Sequence, residues 1–269
     1  MLNFISFGSG SSGNCYFIYT ENEGLLVDVG VGIRTLKKHF KDYGLNFSQV
    51  NSVLITHDHA DHIKSVGSIS HDYHLPVYAT REVHQGIDRN YCVAKKVVAS
   101  LRHYITPGES IKIGNDFVVT SFTVPHDSSD NVGYFIEGGN TNICIITDAG
   151  MVTPEMEKFI AKSHYLVIEA NHDVEMLLQG PYPQHLKDRI LSGNGHLSNK
   201  DCGEALAKSI NESLRHVWLC HLSEENNHPE LARKTIETIL RSYGIVVGKD
   251  LELEVLKRTK PTGIYACGE

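Results

Sequence analysis

The chain has 269 residues, of which 41% are hydrophobic and 21% are charged, so it can form a sizeable buried core. A formal net charge of −7 argues against a surface coated in basic residues for gripping nucleic acid, although bound divalent ions would add positive charge locally. The six cysteines form no CxxC pair, and no signal peptide or membrane-spanning segment is recognisable. We therefore expect one cytoplasmic globular domain over residues 1–269 that needs no membrane.

Runs of apolar and β-branched residues predict mostly strands in the first 150 residues. The expected strands are 2–7, 15–19, 24–29, 50–56, 76–79, 132–137, 142–147 and two within 110–124, and the expected helices are 33–43, 61–70 and 80–89. Helices alternate with strands from residue 154 onward. The expected helices there are 154–161, 183–191, 199–211 and 229–243, and the expected strands are 165–170, 216–220, 251–255 and 263–266. This order predicts two β-rich halves packed face to face, with helices outside.

A glycine-rich stretch, residues 8–13, connects the first two strands and formally matches the GxGxxG pattern of dinucleotide-binding folds. That pattern requires a helix after the glycines, whereas residues 14–19 are aromatic and β-branched and predict a strand. We therefore interpret the stretch as a tight connection whose glycines allow close backbone approach.

The most informative stretch is residues 56–62, directly after the predicted strand 50–56, because it contains three histidines and two aspartates. His57 and His59 are two residues apart and project to the same side of an extended segment, so both can bind one ion. Asp61 and His62 follow where a helix is expected, which suits a second ion nearby. Imidazole nitrogens and carboxylate oxygens are ligands that zinc, manganese and iron accept. The alternative, a His-rich surface loop, is disfavoured because this HxHxDH pattern rarely arises by chance.

Four later positions carry a His or an Asp directly after an apolar run or a glycine-rich turn. They are His126, Asp148, His196 and His221. Taken singly, each is more often structural than catalytic, but together with residues 56–62 they complete the ligand positions that two ions need. The predicted ligands are His57, His59 and His126 for one ion, Asp61, His62 and His221 for the other, and Asp148 as the bridge between them.

HxHxDH followed by a distant His, an Asp and a final His resembles the signature of the metallo-β-lactamase-fold hydrolases, and the likeness covers nearly the whole chain. Within that group the chain is most similar to bacterial YycJ (WalJ) proteins, which are described as 5′-to-3′ double-stranded DNA exonucleases. The matching stretches are 8–14, 169–173, 195–199 and 220–223. The resemblance implies an α/β fold, a four-layer αββα sandwich of two mixed β-sheets flanked by helices, with the site at the sheet edges.

The resemblance also implies roles for single residues. Asp28 would support the metal-binding loop, Glu169 would orient a ligand, and His196 would contact the scissile phosphate or protonate the leaving oxygen. Asp61 would be a catalytic ligand. Lys187, Arg189 and His172 are candidate substrate contacts, with a solvated helix face as the alternative for the two cations. The same alternative holds for small basic clusters such as Lys257, Arg258 and Lys260.

The leading expectation is a dinuclear-metal-dependent phosphodiester hydrolase that acts on nucleic acid, with duplex DNA as its substrate. Two ions lower the pKa of a bridging water from about 15.7 to about 7, which provides a hydroxide nucleophile, and they neutralise charge on the phosphoryl oxygens. The ligand set contains no thiolate and fits zinc, manganese or iron.

Two alternatives stay open at this point. One is a hydrolase of small cyclic phosphodiesters or thioesters. The other is a non-hydrolytic metal or redox sensor, which would need a partly lost ligand set, whereas no ligand position is lost here. Lactam hydrolysis is disfavoured because true metallo-β-lactamases generally lack the His that corresponds to His62.

Overall fold

The computed structural model describes residues 1–268, which form two seven-stranded β-sheets with helices on both outer surfaces. The strands are β1 (Leu2–Gly8), β2 (Cys15–Tyr19), β3 (Gly24–Val27), β4 (Ser52–Leu54), β5 (Val77–Ala79), β6 (Arg102–Tyr104), β7 (Ser110–Ile113), β8 (Phe117–Thr123), β9 (Val132–Gly138), β10 (Thr141–Ile146), β11 (Tyr165–Glu169), β12 (His216–Cys220), β13 (Glu252–Val255) and β14 (Tyr265–Cys267). The helices are α1 (Ile33–Asp42), α2 (Ala60–Ile63), α3 (Val66–Tyr73), α4 (Arg81–Arg89), α5 (Pro154–Ile160), α6 (Val174–Gln179), α7 (Gln184–Ile190), α8 (Asn199–Ser209) and α9 (Pro229–Ser242). The predicted αββα sandwich is confirmed.

The two sheets have matching topologies. The first runs β14-β1-β2-β3-β4-β5-β6 and the second runs β13-β12-β11-β10-β9-β8-β7. Each sheet is antiparallel through one half and parallel through the other, from β3 to β6 in the first and from β10 to β13 in the second. Side chains that follow parallel strands meet at one edge of a sheet, and this is where open α/β sheets place their binding sites.

The strands near the middle of each sheet are buried on both faces, which explains their continuous apolar sequences. In β1, Phe4 packs into the cluster between the sheets, while Ile5 packs into the cluster under the helices. Trp218 of β12 fills the middle of the sandwich against the Phe4 ring, with the two ring centroids 4.4 Å apart. These layers hold the ends of the central strands rigidly, so side chains placed there have fixed directions.

Two predicted elements around the metal-binding stretch differ from the sequence pattern in an informative way. The strand expected over 24–29 stops at Val27, because Asp28 adopts a left-handed backbone with φ of 57°. The helix expected over 61–70 is two helices, α2 and α3. At the break between them, the Ser65 amide donates to Val29 O and its hydroxyl donates to Val31 O, so the chain bonds to the segment after β3 rather than to its own preceding turn.

Strand β6 and helix α6 were absent from the prediction. β6 has the polar sequence Arg102-His103-Tyr104 at the edge of its sheet, so it carries no apolar alternation. Helix α6 has six residues and begins at an Asp173 side chain that accepts from the Met176 amide. Within residues 1–268, no helix is both long enough and apolar enough to cross a bilayer.

Candidate metal centre

Residues 57–62 lie where β4 ends, and the backbone there changes from an extended segment to helix α2. His57 is still extended and pairs with Asn131, whereas His59 is the residue that precedes α2. Gly30 fixes the position of this turn, because a Cβ atom on Gly30 would lie only 1.5 Å from Asp61 O. The close approach directs Asp61 and His62 away from the side taken by His57 and His59.

The structure brings the predicted ligands of the first ion together. Ligand atoms of His57, His59, His126 and Asp148 all lie within 4.8 Å of one another. His59 Nδ1 is 3.3 Å from His126 Nε2, and His57 Nε2 is 3.3 Å from Asp148 Oδ2. We call the three histidines the first ligand set.

The predicted ligands of the second ion also meet. Asp61, His62 and His221 form a group with the same 4.8 Å limit. Asp61 Oδ2 lies 3.5 Å from His62 Nε2 and 3.3 Å from His221 Nε2, so both imidazoles face one carboxylate oxygen. We call these residues the second ligand set.

Asp148 lies between the two sets, at the end of β10. Its Oδ2 is 3.3 Å from His57 Nε2 and 3.2 Å from His62 Nε2, which belong to different sets. Its Oδ1 is 3.1 Å from His221 Nδ1. Asp148 is 1% exposed, and a buried carboxylate in this position requires compensating positive charge.

In four of the histidines Nδ1 is bonded to a supporting group and Nε2 faces another ligand, although Nδ1 of His221 also lies 3.1 Å from Asp148 Oδ1. Nδ1 of His57 is 3.0 Å from the Thr56 hydroxyl, and Nδ1 of His126 is 2.8 Å from Gly195 O. The partners of the other two are carboxylates. His62 Nδ1 is 2.7 Å from Asp28 Oδ2, and His221 Nδ1 is 3.0 Å from Glu169 Oε1.

Metal-binding imidazoles in proteins are held in this way, because the outer bond fixes both the tautomer and the direction of the ring. Nε2 of His57 is buried and makes no well-aligned hydrogen bond among the described residues, with only Asp148 Oδ2 nearby at 3.3 Å, although burying such an atom is costly. The donor set, the ring directions and this buried nitrogen all fit divalent cations.

The carboxylates divide the histidines into two electrostatic classes. Burial lowers the pKa of His57, and it also lowers the pKa values of His59 and His126, so the first set is neutral near pH 7. Burial acts in the same direction on His221, but Asp148, Asp61 and Glu169 outweigh it and raise the pKa of His221 to about 10.

His62 behaves like His221. Burial opposes its charged form, but Asp148 and Asp28 raise the pKa of His62 well above its usual value. The facing carboxylates shift in the opposite direction. Burial would raise the pKa of Asp61, but the neighbouring His62 and His221 hold it below its usual value.

His196 lies between the two sets, in the turn that precedes α8, with its ring centroid 5.0 Å from that of His126 and 5.4 Å from that of His221. Its Nδ1 is 2.8 Å from Glu169 Oε1, and its side chain is 18% exposed, which leaves one edge of the ring open. Burial disfavours the imidazolium, but Glu169 outweighs that effect and raises the pKa of His196. Glu169 also accepts from the amides of Ala149 and Leu197, so it connects three segments around the site.

Backbone strain is concentrated at the centre. Four non-glycine residues among those described have a positive φ, and three of them are Asp28, Asp148 and His221. Asp28 and His221 directly follow the last residue of a strand, and Asp148 lies one residue further on. In each case the left-handed turn redirects the side chain from the sheet into the site. Such conformations cost about 1–3 kcal/mol and persist where the surroundings over-determine them.

Two supporting residues were not assigned a role from the sequence. Asn14 Nδ2 donates to Asp61 Oδ2 at 3.2 Å and lies 2.9 Å from His62 Nε2, so it contacts two members of the second set. Ser9 accepts from the His221 amide through its hydroxyl, at 3.0 Å. Both belong to residues 8–14, which we call the glycine loop. The sequence did hint at these roles, because residues 8–14 are one of the stretches that resemble the YycJ (WalJ) proteins.

Asp58 was the other omission. It lies between His57 and His59 in the extended segment, so its side chain points to the opposite side. Asp58 accepts from the Ser129 amide at 3.1 Å and from the Ser129 hydroxyl at 2.6 Å. A Cβ atom on Gly86 of α4 would lie 1.9 Å from Asp58 Oδ2. Asp58 therefore connects the metal-binding segment to the 126–131 loop and to α4.

The predicted substrate contacts need correction. Lys187 is 9% exposed and its ammonium donates to Leu178 O at 2.7 Å, so it links α7 to α6 instead of facing substrate. His172 is 1% exposed, and burial lowers its pKa to about 4, so it is a neutral core residue. Arg189 is exposed, but its guanidinium is paired with Asp127. The sequence pattern could not show how deep these side chains lie.

Comparisons with known proteins agree with this fold. Residues 24–221 match the beta-lactamase superfamily domain. The chain is 36% identical over 263 residues to exodeoxyribonuclease YycJ of Bacillus anthracis, covering 98% of both chains. It is 34% identical over 245 residues to exodeoxyribonuclease WalJ of Streptococcus pneumoniae serotype 2, covering 91% of this chain and 90% of the relative.

The fold is also found in a solved structure of low sequence identity. Zn²⁺-bound PqqB from Methylobacterium extorquens superimposes with a TM-score of 0.71 at 16% identity, over 97% of this chain and 99% of that one. On the family match and on identities above one third over nearly the full length, this chain belongs to the metallo-β-lactamase-fold hydrolases and, within them, to the YycJ/WalJ family of metal-dependent hydrolases.

Proposed function

We propose that this protein is an exodeoxyribonuclease that depends on two divalent ions and digests duplex DNA from 5′ ends. The observation that carries the proposal is the arrangement of four buried or nearly buried histidines whose outer nitrogens are bonded and whose inner nitrogens converge around Asp148 and Asp61. The names of the two relatives, both exodeoxyribonucleases, support DNA as the substrate.

In this proposal His57, His59 and His126 hold one ion, Asp61, His62 and His221 hold the other, and Asp148 binds both. Zinc, manganese and iron all suit these nitrogen and oxygen ligands. When bound, such ions supply a nucleophile from water at neutral pH and neutralise negative charge on the phosphoryl oxygens. Asp28 and Glu169 bind the outer nitrogens of His62 and His221, and so keep both rings in their binding orientation.

His196 supplies the proton in this proposal. Glu169 binds Nδ1, so the open edge of the ring presents Nε2 toward the site. Glu169 raises the pKa of His196 and so favours the protonated ring, which can bind a phosphoryl oxygen and then donate to the departing 3′ oxygen of the cleaved bond. A poor alkoxide leaving group becomes a neutral hydroxyl by that transfer.

The deciding experiment uses metal-loaded protein and duplex DNA labelled at either the 5′ or the 3′ end. We expect mononucleotides to be released first from the 5′ label, and we expect Asp61→Ala to abolish release. Asp72→Ala is the matched control, because Asp72 is exposed and bonded only to Lys95 and His71. Hydrolysis of bis(p-nitrophenyl) phosphate or a thioester without any digestion of DNA would contradict the proposal, and so would release from the 3′ label first.

A further inference from the structure

We propose that Arg258 and the outer surface of the glycine loop form a phosphate-binding subsite that holds the DNA strand beside the metal centre. The inference rests on the proposed function, because it assigns a phosphodiester backbone as the ligand. It concerns a cation that lies more than 30 residues along the chain from the last predicted metal ligand, His221.

The inner surface of the glycine loop is committed to the metal centre. Ser9 accepts from the His221 amide, and Asn14 contacts Asp61 and His62. All three members of the second ligand set are therefore bonded to this one loop. Whatever binds to the outer surface of the loop lies one layer of backbone away from the proposed second ion.

Arg258 lies across that outer surface. The Ser9 amide donates to Arg258 O at 3.1 Å, which fixes the backbone of Arg258 against the loop. Its side chain crosses Gly10, where an added Cβ would lie 2.9 Å from Arg258 Cγ and 3.2 Å from Cδ. Gly10 is thus required for the close approach of the arginine stem.

The charge of Arg258 is not neutralised by the protein. Arg102 is paired with Asp88, Arg189 with Asp127 and Arg233 with Glu237. No carboxylate oxygen in the described part of the chain lies within 4.0 Å of a nitrogen of Arg258. Its only hydrogen bond through the guanidinium is a long one, at 3.5 Å, to O of Leu222, the residue that follows His221. The guanidinium is half-buried beside the site and has its donors available.

The same loop also offers two backbone amides, those of Ser11 and Ser12. Gly10 N donates to Asn14 Oδ1 and Gly13 N donates to Gly10 O. Between them, Ser11 and Ser12 are exposed, and their amides have no acceptor within residues 1–268. Backbone amides in a glycine-rich turn and an arginine fork are both suited to phosphate oxygens.

A groove of about 510 Å³ is lined by Arg258 together with Ser223, Arg233 and Lys257. Glu230 and Glu254 also line it, so the groove as a whole is of mixed charge. Of its basic lining residues, Arg233 is paired with Glu237, whereas Arg258 and Lys257 have no carboxylate partner in the described part of the chain. We therefore assign one strong phosphate contact to Arg258, with the groove giving room for the strand that follows.

The test compares Arg258→Gln with Lys260→Gln, a control two residues away on an exposed lysine that does not line the groove. With duplex DNA, we expect Arg258→Gln to raise KM about tenfold with little change in kcat, because an arginine–phosphate contact is charge-assisted. Arg258→Lys should recover part of the loss, because it keeps the charge without the planar fork. Lys260→Gln should leave KM within about twofold.

Binding of a phosphorothioate-protected duplex, followed by fluorescence anisotropy at several salt concentrations, gives a readout that does not need turnover. The slope of log Kd against log salt should become shallower by about 1 in Arg258→Gln. Hydrolysis of bis(p-nitrophenyl) phosphate should stay unchanged, because that substrate has no neighbouring phosphate.

Two results would overturn the subsite. One is an unchanged salt slope and an unchanged KM for DNA. The other is a parallel loss of bis(p-nitrophenyl) phosphate hydrolysis or a lowered melting temperature, which would assign Arg258 a structural role in the glycine loop. Failure of the wild-type enzyme to digest DNA would instead overturn the proposed function, and the binding measurement would still decide the subsite.

Discussion

The two ligand sets are held in place by different kinds of groups. In the first set, His57 is bonded to a neighbouring hydroxyl and His126 to the carbonyl of Gly195. In the second set, His62 and His221 are bonded to the buried carboxylates of Asp28 and Glu169, and Asn14 holds Asp61. The first set thus depends mainly on local and main-chain contacts, whereas the second depends on side chains from three distant parts of the chain.

Because their supporting groups differ, we expect side-chain substitutions to affect metal binding by the two sets separately. Removing Asn14 can release a ligand of the second set while the first set keeps its geometry, whereas Asp28 also accepts from the amide and hydroxyl of Thr56 and so supports His57 as well. The second set also contacts the glycine loop, which bears a proposed substrate function, whereas His196 lies between the sets, with ring centroids 5.0 Å from His126 and 5.4 Å from His221. Losing only the ion of the second set should therefore lower activity by more than the loss of one ion in two would suggest.

Asp148 contacts both ligand sets, so its substitution should weaken metal binding by both of them alike. We expect Asp148→Asn to lower turnover at least about 1,000-fold, because a neutral amide cannot balance two cations several ångströms apart. Metal content, measured by elemental analysis, should fall below one ion per chain. Retention of two ions with high turnover would show that Asp148 is not the bridge.

His196 belongs to neither set, and its loss should leave both occupied. We expect His196→Ala to keep two ions per chain and to lower kcat on DNA about 100- to 10,000-fold, the range for a lost general acid. Elemental analysis and single-turnover digestion measure the two effects separately. A variant that digests DNA ends at nearly the wild-type rate would refute the assigned role.

Asn14 contacts only the second set, so Asn14→Ala should reveal the difference most clearly. Supporting residues of this kind contribute about 10- to 100-fold to metal affinity. We expect calorimetric titration of the metal-free protein to show a weakened second binding step and an unchanged first step. Asn22→Ala, on an exposed asparagine of the β2–β3 turn, is the control. Equal weakening of both steps would contradict the separation of the sets.

Lys187 should have the smallest effect, on stability alone. Lys187→Met removes the donor to the part-buried Leu178 O, and losing one such hydrogen bond costs about 1 kcal/mol of unfolding free energy. Urea denaturation measures that change, and KM for DNA should not move. A clear increase in KM would restore Lys187 as a substrate contact.

The sequence predicted the ligands within residues 57–62 better than the ligands from later in the chain, for a physical reason. His57, His59, Asp61 and His62 are contiguous, so their spacing alone indicates the direction of each side chain. His126, Asp148 and His221 each stand alone at the end of a different strand. Only the resemblance to a known family, or the folded sheet itself, shows that they meet.

The remaining omissions and errors concern depth and long-range contacts. Asn14 is 47 residues from Asp61, and no local pattern reports that contact. Lys187 follows a helical pattern typical of a solvated face, but α6, which was not predicted, covers it. The left-handed turn at Asp28 ends a strand that the apolar sequence extended to residue 29.

The central claim is that two ions are held on either side of Asp148. Anomalous diffraction from crystals of the metal-loaded protein tests it most directly. We expect two anomalous peaks about 3.5–4 Å apart, one among His57, His59 and His126 and one among Asp61, His62 and His221. A single peak held by Asp148, Glu169, His196 and His221, the one other grouping with suitable spacing among residues 1–268, would contradict it.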